Sequence, residues 1–193
     1  MQIREVYKDI YQAIFPLTGN PLKSINIYVI KAGDFSMIID TGFNNPENRA
    51  NMEELIRRLT LNLSKTKLFL THLHSDHVGL AKWLYDNGIS DIYISQTDGK
   101  MVENGINKED FQWQNIIKNA RFQGLGPENL KIEDHPGYKN RPKEAFPHTK
   151  IKPGSEIAIG DYNFIAIDEE GPRQACWVFM KKTTKSYFVA TIS

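Results

Sequence analysis

The stretch THLHSDHVGL, residues 71–80, holds three of the five histidines in the chain and one aspartate. The apolar run before it, residues 67–70, is short and predicts a strand. Apolar residues then recur at helical spacing and predict a helix that ends near Gly88, with Val78, Leu80, Ala81 and Leu84 on its inner side. The histidines are therefore expected on the turn between a strand and a helix, where Asp76 is placed like an N-cap.

This turn carries the residue types of a metal site. His72 and His74 alternate with one other residue, so an extended backbone would point both rings the same way. Asp76 and His77 follow one turn later and can face the same cavity. Neutral imidazole and carboxylate bind zinc and similar ions, so the stretch could give two ligands to one ion and two to a neighbour. The plainer alternative is that Asp76 only caps the helix and His77 is only a first-turn residue.

At these residues the sequence resembles the metallo-β-lactamase-fold hydrolases. His72-Leu73-His74-Ser75-Asp76-His77 is similar to their H-x-H-x-D-H signature. Residues 28–30 and 36–42 resemble the N-terminal hairpin of that family, which ends in an Asp-Thr-Gly turn, and residues 52–63 resemble its following helix. The resemblance covers 24–99 well and 150–193 loosely, and the signature does not name a substrate.

The resemblance implies an α/β (α+β) fold in which two sheets are sandwiched between helices, an αββα sandwich whose second half is incomplete here. Residues 1–193 are expected to form a single domain. Residues 100–150 differ from the rest, because a predicted helix at 109–122, with Phe111, Ile116, Ile117 and Ala120 inward, precedes a stretch rich in Gly and Pro. We expect that segment to be an insertion near the mouth of the site.

The resemblance also implies a ligand set. His72 and His74 correspond to ligands of a first metal ion, and Asp76 and His77 to ligands of a second. Asp76 is in addition the candidate catalytic carboxylate. Asp40 corresponds to a supporting carboxylate, since ligating histidines need an acceptor for their other ring nitrogen, although it could be a plain turn aspartate. Zinc is the expected metal, as one or two ions, with iron and manganese as alternatives.

The late part of the sequence departs from this family. Where a Gly-His segment is expected, the chain reads Gly171-Pro172, and where a Gly-Asp is expected it reads 191-TIS-193. Four residues could fill the gap, namely Asp168, Glu169, Glu170 and Cys176. The acids also fit a solvated loop, and the cysteine a small core residue. His135 and His148 lie in a stretch rich in Pro and Lys and are interpreted as surface loop histidines.

Composition indicates one globular domain. The chain has 193 residues, 40% hydrophobic, with 24 basic and 23 acidic residues and a net charge of +1. This balance makes nucleic acid an unlikely partner, and one cysteine excludes an internal disulfide. With no apolar leader and no run of ~20 apolar residues, we expect a cytoplasmic protein without a membrane partner. A small-molecule substrate is expected, and a homodimer is possible through an exposed last strand at 186–190.

Two hypotheses of function remain. The first is a metal-dependent hydrolase in which activated water attacks an ester, thioester, amide or phosphoester. The second is a degenerate or truncated fold with an incomplete metal site, which acts as a binding or structural module. The motif at 72–77 favours the first hypothesis, and Gly171-Pro172 favours the second.

Overall fold

A computed structural model describes residues 1–107, 111–124, 131–169, 176–181 and 189–190, with side chains through residue 167. Seven of its strands lie side by side in chain order in one sheet. They are β1 (Gln2–Tyr7), β2 (Ile10–Pro16), β3 (Ser24–Ala32), β4 (Phe35–Ile39), β5 (Thr66–Phe69), β6 (Ile92–Ser95) and β7 (Thr149–Ile151). Strands β1 to β4 are antiparallel, and β4 to β7 are parallel. The predicted hairpin is therefore β3–β4, and the predicted motif strand is β5.

A second sheet contains four antiparallel strands in the order β11-β10-β9-β8. They are β8 (Glu156–Ile159), β9 (Tyr162–Glu169), β10 (Cys176–Lys181) and β11 (Val189–Ala190). The turn at Gly160-Asp161 joins β8 to β9.

Six helices lie among the described residues: α1 (Pro46–Leu59), α2 (Ser75–Val78), α3 (Ala81–Asp86), α4 (Gln96–Asn104), α5 (Phe111–Phe122) and α6 (Pro136–Lys139). Helix α1 starts earlier than predicted because Asn45 caps it, accepting from the Asn48 N–H, and a proline follows at the first helical position. One helix was predicted after the histidines, but α2 and α3 are separate. The expectation that Asp76 caps it is wrong, because His74 is the N-cap and Asp76 lies inside the first turn.

The alternation of side chains in the central strands separates two cores. Ile38 of β4 faces helices α1, α2 and α3 in one core. Its neighbours Met37 and Ile39 face the opposite way and pack against Ile157 and Phe164 of the second sheet. The strand is apolar on both sides because both faces of the first sheet are covered. This layering of helices, sheet and sheet confirms the expected mixed α/β architecture.

The segment 100–150 differs in detail from the prediction. Helix α5 is present, but Phe111 is 78% exposed and not inward, and Trp113 is the buried aromatic residue of that helix. The Gly- and Pro-rich stretch is partly ordered into a 3-10 turn, Ile132–Asp134, and helix α6. None of the helices in the described residues has both the length and the apolar character needed to cross a bilayer. The division into one domain with an insertion stays a prediction.

Candidate metal centre

The candidate site lies at the carboxyl ends of two adjacent parallel strands. Asp40 directly follows β4, and Thr71 and His72 come just after β5. Ligand sites in sheets of this kind commonly lie at the carboxyl ends of the strands. The parallel pairing therefore brings Asp40 beside Thr71, which lies 31 positions later in the chain and directly precedes the motif.

Asp40 is a fully buried carboxylate that is held on several sides. Its Oδ1 accepts from the Thr71 N–H at 2.9 Å, and the Thr71 hydroxyl lies 2.8 Å from its Oδ2. Nδ1 of His77 also lies 2.8 Å from Oδ2. The backbone of Asp40 has φ +65°, a conformation that non-glycine residues seldom adopt. These contacts hold the residue there, and such strain is typical of functional sites.

The next two residues of the turn fasten it to the motif. The Thr41 hydroxyl donates to the His77 carbonyl at 2.8 Å and accepts from the Leu80 N–H at 3.1 Å. The Gly42 N–H donates to the Asp76 carbonyl at 2.7 Å. Gly79 makes this close approach possible, because a Cβ there would lie 2.5 Å from the Gly42 carbonyl oxygen. The Asp-Thr-Gly turn and the histidine motif are thus one packed unit.

His72 and His74 present a pair of nitrogens with a spacing that suits one ion. Nε2 of His72 lies 3.1 Å from Nδ1 of His74. Two nitrogens bound tetrahedrally to zinc at ordinary bond lengths lie about 3.3 Å apart. The Thr71 hydroxyl, 3.1 Å from Nδ1 of His72, provides the polar partner for the other ring nitrogen.

Asp76 and His77 form a second pair of donors. Nε2 of His77 lies 3.5 Å from Oδ2 of Asp76, again a separation that one ion could span. Because an ionised Asp40 can only accept, Nδ1 of His77 carries a proton, which leaves Nε2 as the ring nitrogen that could bind a metal ion. The rings of His72 and His77 are also close, with centroids 3.8 Å apart, so the two pairs are neighbours.

In donor type and pair spacing, these residues fit a metal ion. Within the part of the chain that the structure describes, however, no three His, Cys, Asp or Glu side chains form a group that could hold one. The candidate further ligands lie outside the described side chains: Asp168, Glu169, Glu170 and Cys176. So do positions 172 and 191–193, where the sequence departs from the family pattern. The four ligands predicted from the sequence therefore provide two donor groups for each of two ions.

The electrostatics of the site centre on His77. Burial by itself lowers the pKa of this imidazole, but the carboxylate of Asp40, and then that of Asp76, outweigh it and raise the pKa above its ordinary value. Without a metal ion the two carboxylates therefore favour the protonated ring. A metal ion at Nε2 would have to displace that proton.

The two remaining histidines have different surroundings. His135 is exposed in a loop, as predicted, yet it lines the cavity above the motif. The prediction for His148 is wrong, because only 2% of its side chain is exposed and its Nε2 lies 3.4 Å from Glu103. It immediately precedes β7, which pairs with β6 and carries the ring inward.

Two cavities meet at the motif. The first, of about 720 Å³, is lined by all four predicted ligands and also by His135, Pro136 and Gly137. The second, of about 470 Å³, extends from His74 under helices α4 and α5. Sequence reasoning missed Trp113 and Ile116, which line the second cavity, because no local pattern relates them to the motif.

Comparison with known proteins settles the family. Residues 20–161 match the sequence profile of the metallo-beta-lactamase superfamily. The chain belongs to the metallo-beta-lactamase superfamily. A lactamase-like protein of Penicillium aethiopicum, vrtG, is 37% identical over 67 residues, which are 33% of this chain and 21% of that protein.

Solved structures of metallo-beta-lactamase proteins share the fold. A family protein from Thermus thermophilus superimposes with a TM-score of 0.72 at 16% identity, covering 91% of this chain and 56% of that one. A beta-lactamase domain protein from Burkholderia ambifaria gives 0.70 at 19% identity, covering 93% and 52%. A subclass B3 metallo-beta-lactamase of Bradyrhizobium japonicum gives 0.60 at 19% identity, covering 96% and 58%. The fold expected from the sequence is confirmed, and the chain spans little more than half the length of these structures.

Proposed function

We propose that this chain is a metal-dependent hydrolase acting on an ester, thioester, amide or phosphoester of a small molecule. His72 and His74 would hold one ion, and Asp76 and His77 a second. Zinc is the proposed metal, with iron or manganese as alternatives. The observation that carries the proposal is the 3.1 Å separation of Nε2 of His72 and Nδ1 of His74, beside a His77 ring that Asp40 orients. Membership of the superfamily supports the same kind of chemistry.

The protein itself would position the ligands and determine which ring nitrogens carry protons. When bound, the metal ion supplies Lewis acidity and lowers the pKa of water. Asp40 fixes the proton of His77 on Nδ1, so that Nε2 is available as a ligand. The Thr71 hydroxyl donates its one proton to Asp40 and can therefore accept a hydrogen bond from Nδ1 of His72. This places the proton of His72 on Nδ1 as well, so that its Nε2 is available as a ligand.

Asp76 and Asp40 are assigned different roles because they differ in exposure. The side chain of Asp40 is fully buried, whereas 14% of the Asp76 side chain is exposed, toward the larger cavity. A buried carboxylate can act only through the groups it contacts. Asp76 can contact substrate, so it is proposed both as a ligand and as the carboxylate that holds a proton during the reaction.

The experiment is a measurement of metal content and turnover on the same preparations. Protein purified without chelator, and protein loaded with zinc, iron or manganese, is analysed for metal and assayed with p-nitrophenyl acetate and bis(p-nitrophenyl) phosphate. Replacing both His72 and His74 with alanine should abolish metal binding and turnover. The control is His148→Gln, which alters a histidine outside the site, and this variant should bind as much metal as the wild type.

A wild-type chain that holds no first-row metal under any loading condition would overturn the proposal. The second hypothesis, a binding or structural module with an incomplete metal site, would then take its place.

A further inference from the structure

The cavity of about 470 Å³ beside the motif has mostly apolar walls. Its size falls in the range of pockets that take small organic groups. The motif itself supplies part of the wall, and helices α4 and α5 supply the facing side. The apolar side chains that matter most are Leu73, Val78, Val102, Trp113 and Ile116.

Two polar groups of the wall, the Trp113 indole and the Arg141 guanidinium, are hydrogen-bonded to backbone carbonyls. Nε1 of Trp113 donates to the Gly105 carbonyl at 2.7 Å. The guanidinium of Arg141 donates to the carbonyls of Ile106 at 2.8 Å and Tyr138 at 2.6 Å. It also lies 3.5 Å from the centroid of the Tyr138 ring. The cation of this wall is thus committed to structure, and the cavity favours an uncharged apolar ligand.

The cavity adjoins the candidate metal centre. His74, Ser75, His135 and Gly137 line both this cavity and the larger one that contains the four predicted ligands. A molecule whose reactive bond lies at His72 and His74 can therefore extend its remaining part past His74 into the apolar space.

We propose that this cavity binds a hydrocarbon acyl group, so that the substrates are esters or thioesters of apolar carboxylic acids. This inference rests on the proposed hydrolase function. Hydrolysis breaks the bond between the acyl carbon and the leaving oxygen or sulfur. The oxygen of water forms the new bond to the acyl carbon, and a proton of water passes to the leaving atom.

Chain-length dependence tests the assignment. The zinc-loaded protein is assayed with the p-nitrophenyl esters of acetate, butanoate, hexanoate and octanoate. Burial of each methylene should raise kcat/KM by up to about fourfold until the cavity is filled. Ile116→Trp fills the cavity and should remove this dependence. Asn119→Trp places the same ring on an exposed position of α5 and should leave the series unchanged.

A binding measurement separates this inference from the proposed function. Octanamide, an uncharged acyl probe, is titrated calorimetrically into the wild type, His72→Ala and Ile116→Trp. Binding should persist in His72→Ala, since His72 does not line this cavity, and should be lost in Ile116→Trp.

The possible failures can be told apart. A flat chain-length series together with no binding of octanamide would overturn the acyl assignment and leave the hydrolase proposal standing. Binding of octanamide that Ile116→Trp abolishes, with no metal bound and neither the p-nitrophenyl esters nor bis(p-nitrophenyl) phosphate hydrolysed, would support the cavity as an acyl site and overturn the hydrolase proposal.

Discussion

Oδ2 of Asp40 lies 2.8 Å from Nδ1 of His77, a contact between residues 37 positions apart. Both side chains are almost or completely removed from solvent. A buried carboxylate is stable only when it is paired and hydrogen-bonded. This pair therefore joins the end of β4 to the motif helix α2, and it fixes the ring nitrogen that His77 turns toward Asp76.

The first prediction concerns Asp40. Asp40→Asn keeps the size of the side chain but removes its charge, so the His77 proton loses its ionic acceptor. Loss of such supporting groups typically weakens metal affinity 10–100-fold, and we expect a loss in that range. Zinc affinity measured by chelator competition checks it, with Asp161→Asn, an exposed turn carboxylate, as the control. Zinc affinity equal to that of the wild type would show that Asp40 does not support the site.

The second prediction concerns the pH dependence of stability. Burial raises the pKa of Asp98 from 3.8 to about 6, against a weaker opposing effect of Ser95. The folded state therefore holds this proton more tightly than the unfolded state. The free energy of unfolding should therefore fall as pH rises from about 4 to about 6, by about 3 kcal/mol in total from this group. Above that pH it should level off.

Asp98→Asn provides the measurement. The variant should lose this part of the pH dependence, as followed by urea unfolding at pH 4, 5, 6 and 7. Asp161→Asn should retain the wild-type profile. If Asp98→Asn and the wild type lose stability in parallel over this pH range, another group is responsible.

The third prediction concerns Gly79. A Cβ at this residue would lie 2.5 Å from the carbonyl oxygens of Gly42 and Ser75 and 2.6 Å from the Asn44 nitrogen. All three are backbone atoms, so Gly79→Ala must separate the Asp-Thr-Gly turn from the motif. We expect the free energy of unfolding to fall by several kcal/mol. That is more than the roughly 1–2 kcal/mol that an alanine costs when the backbone holds it in a left-handed conformation without a collision. Metal binding should weaken as well.

A matched variant isolates the clash. Gly154 has φ +84° and no atom within 4 Å of the position that an added methyl group would take, so Gly154→Ala carries conformational strain without collision. Thermal unfolding of both variants compares the two costs. Equal losses would mean that the close packing at Gly79 is not what holds the turn to the motif.

The fourth prediction concerns the ligand shortage. Hydrolysis by the unmodified chain should be weak, because the described residues provide only a pair of donors for each ion. Pro172→His places a histidine where the family pattern expects one and should raise metal stoichiometry and turnover of p-nitrophenyl acetate. Two tightly held ions and brisk turnover in the unmodified chain would contradict it, and Asp168 and Glu170 would then be mutated first.

The fifth prediction concerns association. Strands β8 and β11 are the outer strands of the second sheet among the described residues. Outer strands can pair with another chain through unpaired backbone groups. We expect a homodimer or poor solubility, measured by light scattering as a function of concentration. A monodisperse monomer at high concentration would count against this expectation.

Local sequence determined much of the fold. A short apolar run identified the motif strand β5, and helical spacing identified a helix after the histidines, because each pattern depends on neighbours within a few residues. The β3–β4 hairpin was identified by its resemblance to the family. The motif at 72–77 identified the candidate ligands before their geometry was known. Asp40 could be singled out only by its resemblance to a family turn.

The tertiary structure decided what local patterns cannot determine. The parallel pairing of β4 with β5 placed Asp40 against His77 and gave that carboxylate its partners. The packing of β7 beside β6 buried His148, although its neighbours in sequence are polar and rich in proline. Helix α5 turned Trp113 inward and left Phe111 exposed, because the face a helix buries depends on what covers it. Burial and contact between distant residues arise from long-range packing, and short-range sequence patterns do not encode it.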